Sequence, residues 1–176
     1  MASLAPLTLV LGGARSGKSA FAEKLVTGAA SQWLYLATAD TGDSSDDAEM
    51  HQRIVHHQAR RGAGWTTVEE PLALAQSLQE LARGDRPILV DCLTLWLTNL
   101  MMAGRDIIKE CDALCEVLPV SGPVVMVSNE VGLGIVPDNA MARQFRDYVG
   151  RLHQNVAVRA DTVYFTAAGL PLKMKG

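Results

Sequence analysis

The residues with the clearest chemical potential form a glycine-rich segment that ends in a lysine and a serine. Residues 12–19 read Gly-Gly-Ala-Arg-Ser-Gly-Lys-Ser, which matches the G-x-x-x-x-G-K-S pattern of phosphate-binding loops. Lys18 is predicted to reach the outer phosphates of a nucleotide, and the Ser19 hydroxyl is predicted to ligate Mg²⁺. A chance glycine-rich turn is the alternative. It is disfavoured because an apolar strand precedes the segment and a helix follows it.

A carboxylate that could share this metal follows another apolar run. Residues 87–91 read Pro-Ile-Leu-Val-Asp, which predicts a buried strand that ends in an acid. Asp91 is therefore predicted to hold Mg²⁺ directly or through water, as an acid on a neighbouring strand does in P-loop enzymes. The structural alternative is that Asp91 caps the helix that begins near Leu93.

A basic helix face is the second candidate for phosphorus chemistry. The segment 46–62 is predicted to be helical, and four of its residues fall on one face at i, i+4, i+7 and i+8. They are Arg53, His57, Arg60 and Arg61. Nearby positive charge and partial burial leave the imidazole neutral and able to attack phosphorus. A solvated basic face is the alternative, and His56 competes with His57 for the role.

The elements that must position these residues alternate between short strands and helices. Strands are predicted at 7–11, 33–37, 66–69, 87–91, 124–128 and 162–166, and helices at 17–27, from about 46, at 72–83, and from about Leu93 and Asp138. The alternation predicts an α/β fold with a mostly parallel sheet covered by helices on both faces. Ligands bind beyond the carboxyl ends of such strands. The polar residues expected to converge there are the segment 12–19, Thr38, Glu69, Asp91, Asn129 and Glu130.

The run 129–137 is a further candidate at this edge. Gly132, Gly134 and Pro137 mark a shaped loop after a predicted strand, and its position favours contact with a substrate or a phosphate. The alternative is a plain turn before a helix that Asp138 caps. Glu130 receives no definite catalytic role from the sequence.

Composition limits the possible partners and location. The chain has 176 residues, 48% hydrophobic and 20% charged, which is the size and composition of a single folded domain spanning 1–176. A net charge of −3 argues against broad nucleic-acid binding. No apolar run is long enough to span a membrane, and no basic residue precedes the first apolar run, so we expect a cytoplasmic protein.

The cysteines are predicted to be reduced packing residues. The chain has three of them, Cys92, Cys111 and Cys115, with no C-x-x-C pair. Cys111 and Cys115 lie at i and i+4 of a predicted helix, so a shared metal is the alternative reading.

Together these segments resemble the bifunctional family of adenosylcobinamide kinase and adenosylcobinamide-phosphate guanylyltransferase in cobalamin biosynthesis. The resemblance runs almost from end to end. It includes the phosphate-binding loop, the Tyr35-Leu36-Ala37-Thr38-Ala39 run, the block from Arg53 to His57 and the run 129–137. One departure is the polar run 40–47, which reads as a flexible loop and is longer than the family's short turn.

The resemblance implies a RecA-like P-loop fold and a two-step reaction. A nucleoside triphosphate, ATP or GTP, phosphorylates adenosylcobinamide. GTP then transfers GMP to a histidine, which falls on His57, and the GMP passes to adenosylcobinamide phosphate with Mg²⁺ as cofactor. The implied nucleotide contacts are Gly12, Gly13, Ala14, Arg15, Ser16, Gly17, Lys18, Ser19, Ala37, Thr38, Ala39, Gln58, Ala59, Arg60, Arg61, Glu69 and Asp91. A homotrimer is also implied.

Two other functions remain open from the residues alone. A P-loop kinase for a small molecule would use the loop without a guanylyl step. A non-enzymatic nucleotide switch would bind without transferring anything, although the chain has no guanine-reading Asn-Lys-x-Asp motif.

Overall fold

The computed structural model describes residues 4–39, 64–84 and 86–176 of the chain. The described strands form one seven-stranded sheet in the order β3-β2-β4-β5-β1-β6-β7. The strands are β1 (Leu7–Gly12), β2 (Trp33–Ala37), β3 (Trp65–Glu69), β4 (Ile88–Asp91), β5 (Val124–Asn129), β6 (Thr162–Ala167) and β7 (Leu170–Lys175). All neighbours pair in parallel except β6 and β7, which form an antiparallel hairpin.

β1 lies inside the sheet, between β5 and β6, and every one of its residues is buried. Leu7 pairs with Val124 of β5, and its backbone N–H also donates to the Asp161 carboxylate at 2.9 Å. A continuous apolar run suits such a strand, because neither of its faces meets water. The central position of β1 fixes where the following loop leaves the sheet.

The helices cover the sheet on both faces. They are α1 (Lys18–Thr27), α2 (Leu74–Leu81), α3 (Leu93–Met102), α4 (Ile107–Val117) and α5 (Ala140–Arg159). On one face, Ala22 and Val26 of α1 pack with Val10, Val125 and Val127 of the sheet. Helices α2 to α5 build the larger core on the other face, around the buried side chains of Leu9, Leu36, Trp96 and Leu152. Because side chains alternate along a strand, each position belongs to one of these two cores.

The predicted α/β fold with a mostly parallel, doubly covered sheet is confirmed. Each predicted strand is present, with its ends displaced by no more than one residue. The helix predicted at 72–83 is shorter, because the Glu70 carboxylate accepts the N–H groups of Leu72 and Ala73 before the helix begins. The helix predicted from 46, with the loop 40–47, lies outside the described residues.

The cap of α5 differs from the prediction. Asn139, one residue after Asp138, is the N-cap, and its side chain accepts from the Ala142 N–H at 3.1 Å. The strand β7 was not predicted, because Pro171 and six exposed positions hide its pattern. None of the described helices is long and apolar enough to cross a membrane.

The three cysteines lie inside the two cores, as the packing interpretation predicts. Cys92, Cys111 and Cys115 are all buried and unbonded to one another. Burial raises the pKa of Cys92 to about 11 and the pKa of Cys111 to about 12. These thiols are therefore protonated at neutral pH and pack as small apolar groups.

Candidate active site

The loop between β1 and α1 has the backbone of a phosphate cradle. A Cβ at Gly12 would lie 2.5 Å from the Thr166 carbonyl oxygen and 2.6 Å from the Ser16 Oγ, so only glycine fits there. Arg15 and Gly17 have positive φ angles of 56° and 91°. Such a sequence of backbone conformations lets successive N–H groups point into one concave space.

The amino end of α1 is open to an anion. Gly17 is its N-cap, no side chain caps it, and its first turn carries no acidic residue. The first N–H groups of a helix have no partners within the helix, so they are available to a phosphate. The Lys18 Nζ donates to the Gly13 carbonyl oxygen at 3.0 Å, which folds this side chain back over the loop. Burial lowers the pKa of Lys18, and the negative charge of Asp91 opposes this effect.

Asp91 lies at the carboxyl end of β4 on the face that α1 covers. Its Oδ2 accepts a hydrogen bond from the Tyr35 hydroxyl at 2.9 Å. The alternative of an N-cap is wrong, because Cys92 occupies the N-cap position of α3 and no side chain caps that helix. The Asp91 carboxylate is thus placed near Lys18 rather than used by α3.

The strand ends meet along one edge in the expected order. Ala37 pairs with both Asp91 and Glu69, and Gly12 pairs with Asn129. Asn129 follows Val125 and Val127 at alternate positions of β5, so its side chain points to the α1 face. The sequence predicted that Asn129 lies at the ligand edge. The alternation along β5 adds that its side chain lies on the face of the sheet that α1 covers.

Thr38 is at the edge, but its side chain is already bonded. It is fully buried, and its Oγ1 donates to the Cys92 carbonyl oxygen at 2.7 Å and accepts from the Cys92 N–H at 2.8 Å. Its own carbonyl oxygen accepts from the Asn99 side chain at 2.7 Å. Thr38 therefore ties β2 to the start of α3. A nucleotide contact by the predicted run Ala37-Thr38-Ala39 would use other atoms than this hydroxyl.

A second polar cluster, which the sequence did not predict, lies on the opposite face of the same edge. The His153 Nε2 is 2.8 Å from the Ser128 Oγ, and that oxygen is 3.1 Å from the Thr94 Oγ1. The Thr94 Oγ1 also accepts from the Asn129 N–H at 2.7 Å. The His153 Nδ1 lies 3.6 Å from the Glu130 Oε2. We call Thr94, Ser128, Glu130 and His153 the support cluster.

The support cluster holds the carboxyl end of β5. Burial lowers the pKa of His153, and the Glu130 carboxylate partly opposes this. Glu130 also accepts the Gly132 N–H at 2.5 Å, while its own N–H donates to the Gly12 carbonyl oxygen at 3.0 Å. A lone histidine in a helix gave no sequence signal, since its partners are distant in the chain.

Several predicted site residues cannot be placed. His56 and His57 lie outside the described residues, together with Gln58, Ala59, Arg60 and Arg61. Glu69 is exposed at the end of β3, beside Ala37. The histidine and its basic face therefore stay predictions from the sequence.

A mostly parallel sheet with a phosphate cradle after β1 and a carboxylate at the end of β4 defines a P-loop protein of the RecA-like kind. Solved structures of this class share the fold at low sequence identity. The ATPase EscN of an enteropathogenic E. coli type III secretion system has a TM-score of 0.55 and 11% identity, covering 93% of this chain and 43% of its own. The RadB recombinase has a TM-score of 0.53 and 17% identity, covering 92% and 75%.

Sequence comparisons narrow this class to one family. The profile described as "Cobinamide kinase / cobinamide phosphate guanyltransferase" matches residues 8–174. The bifunctional adenosylcobalamin biosynthesis protein CobP of Pseudomonas aeruginosa is 49% identical over 171 residues, covering 96% of both chains. CobU of Salmonella typhimurium, with the same description, is 40% identical over 187 residues, covering 96% of this chain and 99% of its own. The chain belongs to the cobinamide kinase / cobinamide phosphate guanyltransferase family, which confirms the resemblance seen in the sequence.

Proposed function

We propose that this chain performs both reactions of its family. It phosphorylates adenosylcobinamide with a nucleoside triphosphate and then transfers GMP from GTP to adenosylcobinamide phosphate, giving adenosylcobinamide-GDP and pyrophosphate. The observation that carries the proposal is a complete phosphate cradle, with Lys18 and Asp91 at one sheet edge, in a chain that matches the family from residue 8 to 174.

In the kinase step, the chain's own groups would bind and orient the phosphates. The open amino end of α1 and the positive-φ backbone offer N–H groups to the phosphate oxygens. Lys18 would leave the Gly13 carbonyl and pair with the outer phosphates, where negative charge increases as the bond to the leaving group breaks. The acceptor hydroxyl attacks the γ-phosphorus, its proton passes to solvent or a base, and the nucleoside diphosphate leaves.

The residues at the edge also fit Mg²⁺. Ser19 in the first turn of α1 and Asp91 offer a hydroxyl and a carboxylate oxygen, the hard donors that this ion prefers. Within the described ranges, no group of three or more His, Cys, Asp or Glu residues could hold a metal by itself. Ser19 and Asp91 would hold the ion together with oxygens of the bound phosphates. The bound ion would neutralise charge on the phosphates.

In the guanylyl step, His57 would carry the GMP. Its imidazole nitrogen forms a bond to the α-phosphorus while the bond to pyrophosphate breaks, and the acceptor phosphate later displaces the histidine. The family resemblance and the basic helix face of Arg53, Arg60 and Arg61 support this assignment. His56 is the alternative carrier.

The corrinoid acceptor and the assembly belong to the same proposal. The loop after Glu130 leaves the sheet beside Gly12 and exposes Leu133, Ile135 and Val136, which supports contact with a large, partly apolar acceptor. A cytoplasmic homotrimer that does not bind nucleic acid is proposed from the family resemblance and the net charge.

Labelled GTP tests the proposal directly. GTP labelled at the α-phosphate should give a protein adduct that is labile in acid and stable in base, as a phosphoramidate is. His57→Ala should abolish the adduct, and His56→Ala should keep it. Label at the γ-phosphate should instead pass to adenosylcobinamide in all three proteins.

The alternatives give different results. Transfer of the γ-label without any α-labelled adduct would favour a small-molecule kinase. Nucleotide binding with no product from a corrinoid acceptor would favour a switch. Loss of the adduct in His56→Ala but not in His57→Ala would assign the covalent step to the first histidine of the pair.

A further inference from the structure

We propose that the turn between β6 and β7 is a positioning element for the phosphate cradle, acting through the backbone N–H of Gly169. The turn consists of Ala168 and Gly169, with φ angles of 51° and 78°. Two successive positive φ angles are typical of the tight turns that join hairpin strands. The proposal requires only the nucleotide binding that the proposed function assigns to this loop.

The contact between the turn and the cradle is a single backbone hydrogen bond. The Gly169 N–H donates to the Ser16 carbonyl oxygen at 2.8 Å. A peptide group is planar and trans, so its C=O and the next N–H point in opposite directions. Holding the Ser16 oxygen toward the turn therefore aims the Gly17 N–H away from it, into the cradle. One hydrogen bond thus orients a donor that a phosphate would use.

The two backbones approach too closely for any side chain between them. A Cβ at Gly17 would lie 2.9 Å from the Gly169 Cα. The strand that leads into the turn makes a similar contact, since a Cβ at Gly12 would lie 2.5 Å from the Thr166 carbonyl oxygen. The hairpin thus contacts the cradle near both ends of the cradle, at Gly12 and at Gly17.

The burial of β7 does not explain why the hairpin is present. All six of its residues are exposed, including Leu170, Leu172 and Met174. Within the described part of the chain, β7 pairs only with β6 and adds no side chain to either core. What β7 does provide is the second strand of the hairpin, which holds the turn where the Gly169 N–H bonds to the Ser16 carbonyl oxygen.

The sharpest test removes this N–H and leaves every side chain unchanged. Glycolic acid in place of Gly169 replaces the amide by an ester, which cannot donate. The same replacement at Gly104 is the matched control. Gly104 also has a positive φ of 64°, and its N–H donates to the Met101 carbonyl oxygen at 3.1 Å, at the end of α3. The pair Gly169→Ala and Gly104→Ala keeps both N–H groups but strains both positive-φ turns, and a Cβ has open space at both positions. This second pair therefore tests whether disturbing the turn disturbs the cradle.

Both ester proteins should lose a similar amount of thermal stability, measured as Tm. The dissociation constant of Mg·GTP should rise about five-fold for the Gly169 ester, which corresponds to the loss of about one hydrogen bond. The same constant should stay unchanged for the Gly104 ester. In the kinase assay, the KM for the nucleotide should rise while the KM for adenosylcobinamide does not. A purely structural role of the turn would not separate these two constants.

The outcomes distinguish this proposal from the proposed function. Equal GTP affinity in the two ester proteins would overturn the positioning role and leave the function intact. If the Gly169 ester does not fold, equal affinity of Gly169→Ala and Gly104→Ala would overturn it instead. Failure of the unsubstituted chain to bind GTP would overturn both.

Discussion

At the carboxyl end of β5, consecutive residues point to opposite faces of the sheet. Asn129 points to the α1 face, which also carries Lys18 and Asp91. Ser128 points to the α3 and α5 face, where it meets Thr94 and His153. Both faces bring polar side chains to one edge, but Thr94, Ser128 and His153 of the support cluster are buried and bond mainly to one another, while Glu130 is partly exposed beside His153. The α1 face presents an uncapped helix end and a lysine whose one hydrogen bond among the described residues is to a backbone carbonyl.

The difference separates two uses of polar residues. Buried polar groups that satisfy one another contribute stability and order, because leaving any of them without a partner is costly. Groups whose bonds are few and exchangeable can turn to a ligand. Position at a strand end did not distinguish these uses. The alternation of side chains along β5 did.

The largest expected effect is a loss of nucleotide binding when a residue on the α1 face is substituted. Lys18→Met should weaken Mg·GTP binding or turnover on the order of 100-fold, because it removes the only cation of the cradle's first helical turn. Stability should not fall, since burial already disfavours the charged lysine. Isothermal titration and urea unfolding measure the two quantities. Lys24→Met, an exposed lysine of the same helix, is the control. Equal binding by both variants would contradict the assignment.

An intermediate effect should appear on the support side. The His153 pKa is lowered in the folded protein. As the pH falls below about 6.5, the imidazole is therefore protonated more readily in the unfolded chain than in the folded one. Stability then rises with pH across this window and falls as the pH decreases. His153→Gln should therefore lose less stability between pH 7 and pH 5 than the unsubstituted protein does. Urea unfolding at both pH values measures this.

The unsubstituted chain and His153→Gln share the other histidines, at 51, 56 and 57. The difference between their losses of stability with pH therefore reports on His153 alone. Affinity for GTP at pH 7 should change little. A large loss of affinity with unchanged stability would place His153 with the reactive residues and remove the contrast between the faces.

The smallest expected effect concerns a residue that is buried, like most of the support cluster, but bonds to a candidate ligand of Mg²⁺. Tyr35 is buried, and its hydroxyl donates to the Asp91 carboxylate at 2.9 Å. Tyr35→Phe should raise the Mg²⁺ concentration needed for half-maximal GTP binding about three-fold, because the carboxylate loses a donor that orients it. Titration of Mg²⁺ at fixed GTP measures this. An unchanged requirement would show that Asp91 is oriented without Tyr35.

Much of the fold could be predicted because its signals are local. Apolar runs of strand length, each followed by a helix, indicated the parallel sheet. β7 could not be predicted, since an exposed edge strand with an internal Pro171 lacks both burial and alternation. The boundary of α2 depended on the Glu70 side chain, which competes for the first N–H groups.

The candidate site divides in the same way. Lys18, Ser19 and Asp91 carry their signal in a short motif or at the end of an apolar run. His153 does not, because its partners Ser128 and Glu130 are more than twenty residues earlier in the chain. The contact of Gly169 with Ser16 is between backbone atoms, so no residue pattern encodes it.

The central place of β1 has a consequence for the order of synthesis. β1 and the cradle leave the ribosome before the segments that they contact: Leu7 pairs with Val124, and its N–H donates to the Asp161 carboxylate. Until those segments are made, a mostly apolar strand lacks both of its neighbours in the sheet, and pairing over such sequence separations is slow. β1 is therefore translated well before it can be assembled into the sheet, and a chain stalled on the ribosome before β6 is made would carry a nucleotide motif that cannot yet bind its ligand.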